Sequence, residues 1–304
     1  LLWQCAHDDA FNTPATRARR VQARQSTAFD SAPIADRMLA RFSVLQCQQP
    51  AANGPADARV LVRHAGALLR LSCAAALGVA AAAEPVHAQF AARWHLTGRA
   101  ADTLRIALVL SADHELNASS FVARCVASTG ADLGKAVVGG LASLSGGLHG
   151  GMTERVEALW DEFERASTFR VGLERRLSRG DALVGFGHPL YPDGDPRARE
   201  ILTRLPAGAV KNAALRMVAH VAELTGKRPA LDFALVALRR AIGAPEGGAY
   251  AVFAVGRTVG WLAHALEQRT DGALIRPRAA YTGRRPSADA ASLDPIVMAS
   301  PFGR

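Results

Sequence analysis

Apolar residues three and four positions apart recur along nearly the whole chain, and almost no stretch alternates with period two. This pattern predicts an all-α protein, because a 3.6-residue period collects such positions on one helix face, whereas a strand needs a period of two. Helices are predicted over residues 35–45, 58–83, 101–128, 155–166, 212–224 and 250–267, with another beginning near Asp232. The amphipathic signal is plainest in 155–166. There Val156, Leu159, Trp160 and Phe163 share one face and Glu157, Asp161 and Glu164 the opposite one.

The breaks are as informative as the helices. Residues 48–55 (Gln-Gln-Pro-Ala-Ala-Asn-Gly-Pro) form a turn cluster, and residues 1–30 are polar and basic, as suits a surface wrap. Between 130 and 151 glycines recur at short intervals, first at a spacing that lets helices approach closely. From Ser145 to Gly151 they are too dense for a helix interior, which leaves His149 in a loop. Gly130 to Lys135 is one residue short of a phosphate-binding loop, and Ala136 stands where Ser or Thr is required, so that reading is excluded. Residues 185–199 hold three prolines and three glycines around His188, which predicts a locked, non-helical loop. Polar loops of this kind carry binding or catalysis, the plain alternative being a rigid turn. The tail at 275–278 reads as extended and basic.

Composition narrows the class. With 304 residues, 49% of them hydrophobic, the chain can bury one large core or two smaller ones. Its longest apolar run, 73–83, is shorter than the roughly 20 residues that span a bilayer, so it reads as part of a buried helix and no membrane association is expected. No signal peptide is expected. The chain begins at Leu1 rather than Met, so a preceding segment is expected. Cys5, Cys47, Cys73 and Cys125 lack any CxxC spacing, which argues against a zinc site or disulfide framework and suits a reducing cytoplasm. The net charge of +9 comes from dispersed arginines, clustered only at Arg17, Arg19, Arg20 and Arg24, with lysine only at 135, 211 and 227. That distribution fits compositional bias, and a small polyanionic ligand as well as a nucleic acid.

Several residues stand out against this background. His114, Asn117 and Phe121 would share one face of the 101–128 helix, where a His–Asn pair is ordinarily a satisfied core pair. Asp113-His114-Glu115 is no zinc-protease helix, because Ala118 occupies the second histidine's position. Asp232 follows the break at 226–229, where an aspartate is ordinarily an N-cap. Arg257 lies on an apolar stripe with Phe253, Gly256, Gly260, Trp261 and His264, and a buried arginine requires an anionic partner. His149, His188 and Asp232 could form a metal site or an acid–base set. The isolated arginines favour the second, because a dicarboxylate is best held by bidentate guanidinium groups.

Seven motifs then occur in one order: Asp113-His114-Glu115-Leu116-Asn117-Ala118-Ser119, Leu148-His149-Gly150-Gly151, Gly185-Phe186-Gly187-His188, Asp195-Pro196-Arg197, Asp232-Phe233, Gly256-Arg257-Thr258-Val259-Gly260-Trp261 and Arg276-Pro277-Arg278. In order and spacing they resemble the citrate synthase family from about Asp113 to Gly283, and more loosely over residues 1–83. The resemblance implies a two-domain, all-helical homodimer. A large domain would be built from 1–152 and 249–304 and a small one from 153–248, with the active site in the cleft between them. It implies condensation of acetyl-CoA with oxaloacetate and water to citrate and CoA, the entry step of the tricarboxylic acid cycle. Asp232 would be the base that takes the methyl proton, His149 the donor to the thioester carbonyl, and His188 the donor to the oxaloacetate carbonyl. Oxaloacetate would be held by His114, Asn117, Arg197 and Arg257, with Arg276 reaching in from the other subunit. Leu190, Tyr191 and Asp193 would lie against CoA. No metal and no permanently bound cofactor is implied, acetyl-CoA being a co-substrate.

The sequence departs from the family around these residues. Met152-Thr153 stands where Asn is usual, Ala234-Leu235-Val236 follows Asp232-Phe233, and Pro189-Leu190-Tyr191-Pro192 replaces Arg-Val-Tyr-Lys. The chain thus reads as a divergent, citrate synthase-like branch. Two alternatives stay open: 2-methylcitrate synthesis from propionyl-CoA, which one methylene separates by only about 1–3 kcal/mol, and a non-catalytic metabolite-binding or nucleic-acid-associated module. The module is disfavoured, since a pure binder has no need of Asp232.

Overall fold

The computed structural model describes residues 3, 31–49, 57–166, 168–280, 282 and 283. Among the described residues there are twelve helices and no strand. They are α1 (Ile34–Cys47), α2 (Ala58–Leu77), α3 (Val86–Arg93), α4 (Gly98–Leu110), α5 (Ala118–Ser128) and α6 (Leu133–Leu144) in the first half. The second half holds α7 (Met152–Arg165), α8 (Phe169–Ser178), α9 (Pro196–Arg204), α10 (Ala209–Thr225), α11 (Leu231–Ala241) and α12 (Gly248–Asp271). The all-α expectation holds. Residues 1–274 make one compact unit and residues 275–304 a second, whose described residues include no helix. The surface wrap expected for 1–30 lies outside the described residues except for Trp3, whose indole N–H donates to the Val259 carbonyl at 3.0 Å. Most of the 48–55 turn lies outside them too.

Four expectations are corrected at helix ends. The helix predicted over 58–83 ends as α2 at Leu77, because Gly78 (φ 67°) takes the left-handed conformation that closes a helix. By length and apolarity α2 could cross a bilayer, yet 56% of that window is buried inside the protein, as befits a core helix. The helix predicted over 101–128 is two helices, α4 and α5, parted by residues 111–117. Asn117 caps α5 by accepting the Ser120 N–H at 3.1 Å, and Glu115 has a positive φ of 53°. His114, Asn117 and Phe121 therefore share no helix face: the first lies in the loop, the second is the cap, and Phe121 is exposed. The last four residues of the 185–199 stretch are helical, since Asp195 caps α9 and Pro196 takes its first position. Asp232, in turn, is the second residue of α11 rather than its N-cap, a position filled by Ala230.

Helix α12 holds the fold together, packing against α1, α2, α4, α5, α6, α7 and α11. Its glycines allow the approach. A Cβ on Gly256 would meet the Leu108 carbonyl oxygen at 2.7 Å, and one on Gly260 would overlap that of Ala112. Gly140 of α6 lies under the Trp261 indole, where a Cβ would come within 2.5 Å. The end of α4 and the 111–113 loop are thus pressed against α12.

Gly260→Ala should therefore destabilise the protein by about 1–3 kcal/mol in denaturant unfolding, although alanine is the better helix former. Gly147→Ala, whose Cβ would meet nothing within 4 Å, should stay within about 0.5 kcal/mol of the parent.

Candidate active site

Loop 111–117 is stapled to α12 at three successive residues. Arg257 donates from Nε to the Ser111 carbonyl at 2.8 Å, Gly260 admits the Ala112 carbonyl, and His264 Nε2 lies 3.2 Å from Asp113 Oδ1. This staple presents His114. Arg257 is only 1% exposed, its Cζ sits 5.1 Å from the Phe253 ring centroid, and among the described residues no carboxylate forms an ion pair with it. Burial, followed by the repulsion of Arg197, lowers its pKa to about 10, against the pull of Asp113 and Asp232. The group stays protonated at neutral pH.

His149 lies in the loop that joins α6 to α7. Its Nε2 is 2.8 Å from Ser119 Oγ, which accepts from the Trp261 indole N–H at 3.0 Å and lies 2.9 Å from Asn117 Oδ1. Nδ1 is the nitrogen left for a ligand. Burial and then Arg257 push the ring's pKa down to about 4, so it is neutral. Asn117, expected to touch substrate, accepts the Ser120 N–H with its carbonyl oxygen as the α5 cap, while its amide donates to the His114 carbonyl at 3.2 Å.

The loop before α9 is tied to the start of α11 by a short antiparallel bridge. Phe186 pairs with Pro229, Gly187 N–H donates to Arg228 at 2.7 Å, and Ala230 N–H donates to Gly185 at 2.9 Å. Gly185 (φ 78°) and Gly187 (φ 81°) adopt backbone that side chains resist. His188 follows, and its Nδ1 accepts the Leu190 N–H at 3.2 Å, which leaves the proton of the neutral ring on Nε2. Its pKa is lowered by burial and Arg197, with Asp195 opposing. The His114 and His188 rings meet edge to face at 5.2 Å. Tyr191 turns inward, its hydroxyl 2.9 Å from His114 Nε2, while Leu190 and Asp193 remain exposed.

Asp195 joins these parts. Only 2% exposed, it accepts from Arg197 N, Nε and Nη2 at 3.0, 3.0 and 2.8 Å, and from Leu231 N–H at 3.1 Å. Burial would raise its pKa, but the bonds to Arg197 and Leu231 outweigh that and hold the carboxyl below its usual range. One residue beyond Leu231 is Asp232. Burial raises its pKa to about 6; Asp195 adds to the rise, while its own N–H, Arg197 and Arg257 oppose it.

The structure thus gathers His114, His149, His188, Arg197, Arg257 and Asp232 around one uncompensated cation and one weakened acid. His114, like His149, is neutral: burial, Arg197, His188 and Arg257 lower its pKa to about 4. Arg276 belongs to the second unit and is exposed. Among the described residues no group of three His, Cys, Asp or Glu is placed to hold a metal. Sequence reasoning missed Ser119, which carries no signal beyond its place in a motif, and the bridging role of Asp195, whose Asp-Pro pair does announce a helix start. The set can bind a dianion, withdraw a proton from a carbon acid, and donate hydrogen bonds to two carbonyl oxygens.

The comparisons with known proteins agree with this geometry. The chain is 39% identical over 220 residues to a protein named putative citrate synthase 2 from Mycobacterium tuberculosis, covering 66% of this chain and 57% of that one. It is 35% identical over 188 residues to a 2-methylcitrate synthase of Shewanella oneidensis, covering 60% of this chain and 50% of that one. The chain thus spans little more than half the length of these relatives. A solved citrate synthase from Thermoplasma acidophilum, in ternary complex with carboxymethyl coenzyme A and oxaloacetate, superimposes with a TM-score of 0.69 at 26% identity, covering 84% of this chain and 74% of that one. The family profile described as "Citrate synthase, C-terminal domain" matches residues 1–278, and the chain belongs to the citrate synthase family.

Proposed function

We infer that the chain condenses acetyl-CoA with oxaloacetate and water to give citrate and CoA, as part of a cytoplasmic homodimer. The observation that carries this reading is Arg257, a protonated guanidinium 1% exposed with no carboxylate ion-paired to it among the described residues, beside a carboxyl whose pKa burial has raised. A buried cation left unpaired is costly, and a dicarboxylate would supply what the protein withholds. Oxaloacetate would bind Arg257, the open side of Arg197, and His114. Asp232, at about 6 a stronger base than an ordinary carboxylate, would remove a methyl proton from acetyl-CoA. With the Ser119 hydroxyl donating to His149 Nε2, the proton of the neutral ring would sit on Nδ1 and donate to the thioester oxygen. The enol carbon would attack the ketone carbon as His188 Nε2–H donates to the oxygen that becomes the hydroxyl of citryl-CoA, and water would then cleave the thioester to citrate and CoA. His149 belongs to the 1–152 segment and His188 and Asp232 to the 153–248 segment, so the proposed division into two domains would place the site in the cleft between them.

The acyl group has a second reading. Relatives named 2-methylcitrate synthase match at 35–36% identity, close to the 35–39% of those named citrate synthase, which supports propionyl-CoA as the alternative. A thiol-release assay with oxaloacetate tests both. The expected result is CoA release with a higher kcat/KM for acetyl-CoA, and a chain that releases no CoA from either thioester would sink the proposal.

Asp232→Asn should lower turnover by at least about 10²–10⁴-fold. In the parent, kcat/KM should fall about tenfold per pH unit below about 6 as Asp232 gains its proton, without a further limb from His114 or His149 above pH 5.

Arg257→Met should abolish the rise in melting temperature that oxaloacetate gives the parent. It should cost the unliganded protein well under the roughly 3–5 kcal/mol of a broken buried ion pair, because no carboxylate is left behind.

If Arg276 completes the partner's site, mixing inactive Asp232→Asn and Arg276→Ala proteins should restore part of the activity through hybrid dimers. Activity no greater than the sum of the two variants after subunit exchange would exclude the shared site.

A further inference from the structure

The family resemblance assigns Tyr191 to the coenzyme, but the structure gives it different company. Its hydroxyl lies 2.9 Å from His114 Nε2, and its ring centroid is 5.5 Å from that of His114 and 5.1 Å from that of His188. The Cζ of Arg197 sits 5.5 Å from the same centroid. All three neighbours face the keto-acid side of the proposed reaction, and the backbone holds the ring among them. Tyr191 N–H donates to the His188 carbonyl at 2.9 Å, Gly194 N–H donates to the Tyr191 carbonyl at 3.0 Å, and Pro189 and Pro192 stiffen the turn between.

The chemistry of the contact follows from the proton count. His114 is held neutral by burial and by Arg197, His188 and Arg257, with only Asp195 opposing, so the ring carries one N–H. A phenol is a far stronger acid than a neutral imidazole and donates to the ring's unprotonated nitrogen. With Nε2 accepting from Tyr191, the proton must sit on Nδ1, which has no hydrogen-bond partner among the described residues. Neutral imidazole without such a neighbour is free to take either form, and only the Nδ1–H form turns a donor outward from this ring.

We propose that Tyr191 is a positioning residue of the keto-acid site: its hydroxyl commits His114 to the Nδ1–H tautomer, so that a neutral histidine donates a hydrogen bond to a carboxylate or carbonyl oxygen of the bound keto acid. This rests on the reading of the site as an oxaloacetate site, while the tautomer assignment itself does not.

The test is Tyr191→Phe, which keeps the ring and removes only the hydroxyl; an unchanged helical circular-dichroism spectrum and melting transition establish that the variant folds. Ring-¹⁵N NMR of the full chain, with His114 assigned by its loss in His114→Gln, should show Nε2 as the acceptor nitrogen in the parent and a shift toward protonated Nε2 in the variant. KM for oxaloacetate should rise about 2- to 10-fold, the worth of one neutral hydrogen bond, with KM for acyl-CoA unchanged. An unaltered His114 tautomer, or a rise confined to the acyl-CoA KM, overturns the proposal. If the parent neither binds oxaloacetate in calorimetry nor turns it over, the substrate reading and the ligand half of this proposal fail together, and the ¹⁵N result still decides the tautomer half.

Discussion

The guanidinium of Arg257 is buried on α12, and among the described residues it makes one hydrogen bond, from Nε to the Ser111 carbonyl, and no ion pair with a carboxylate. Most properties of the site follow from that isolation. The arginine cannot swing to a partner, because α12 packs against seven other helices and its glycines bring the 111–113 loop into contact with it. Burial first, and this charge after it, depress the pKa of His114 and of His149, so both rings are neutral. The cation thus makes an anion site and adds to what burial does in keeping the neighbouring donors neutral. A carboxylate built beside Arg257 would remove the first and weaken the second.

Arg197 is arranged in the opposite way. Its Nε, Nη2 and backbone N–H all bind Asp195, so most of its charge is answered within the protein. What Asp195 gains from this is reach. By also accepting from Leu231, it locks the start of α9 to the start of α11, one residue before Asp232. Its charge then helps raise the pKa of Asp232, while Arg197 and Arg257 hold the rise in check. The carboxyl that results is more basic than a free aspartate and still ionised at neutral pH, as a base for a carbon acid requires.

The long periodic helices were legible in the sequence, because a 3.6-residue stripe survives any detail of packing. Short helices and loop ends were harder to read. Asp195-Pro196 is a plain helix start, but the prolines and glycines before it made the whole of 185–199 look irregular. His114 and Asn117 were placed on a helix face because three-residue spacing is also the spacing between a cap and its neighbours; only the positive φ of Glu115 and the Asn117–Ser120 bond separate the cases. The candidate residues were found by type and order, whereas their states were not. That Arg257 lacks a partner, that Ser119 orients His149, and that Tyr191 faces His114 are facts about which helices meet, and no single segment contains them.

The loop at 185–199 joins these strands of the argument. Its two left-handed glycines fold it back onto 228–230, where a Cβ on Gly185 would meet Val156 at 2.8 Å and Phe233 at 3.2 Å, so the bend itself is built into the core. Beyond the bend the sequence leaves its family, with Pro189 and Pro192 in place of basic residues. The inward side of the turn keeps its contacts, from His188 and Tyr191 to Arg197. The outward side is left with exposed Leu190 and Asp193. Where the resemblance would have basic residues, the outward side of this turn presents an apolar residue and a carboxylate, neither of which attracts phosphate. On the proposed reaction, the divergence therefore falls on how tightly the thioester is held, and it leaves the keto-acid side as rigid as the bend that supports it.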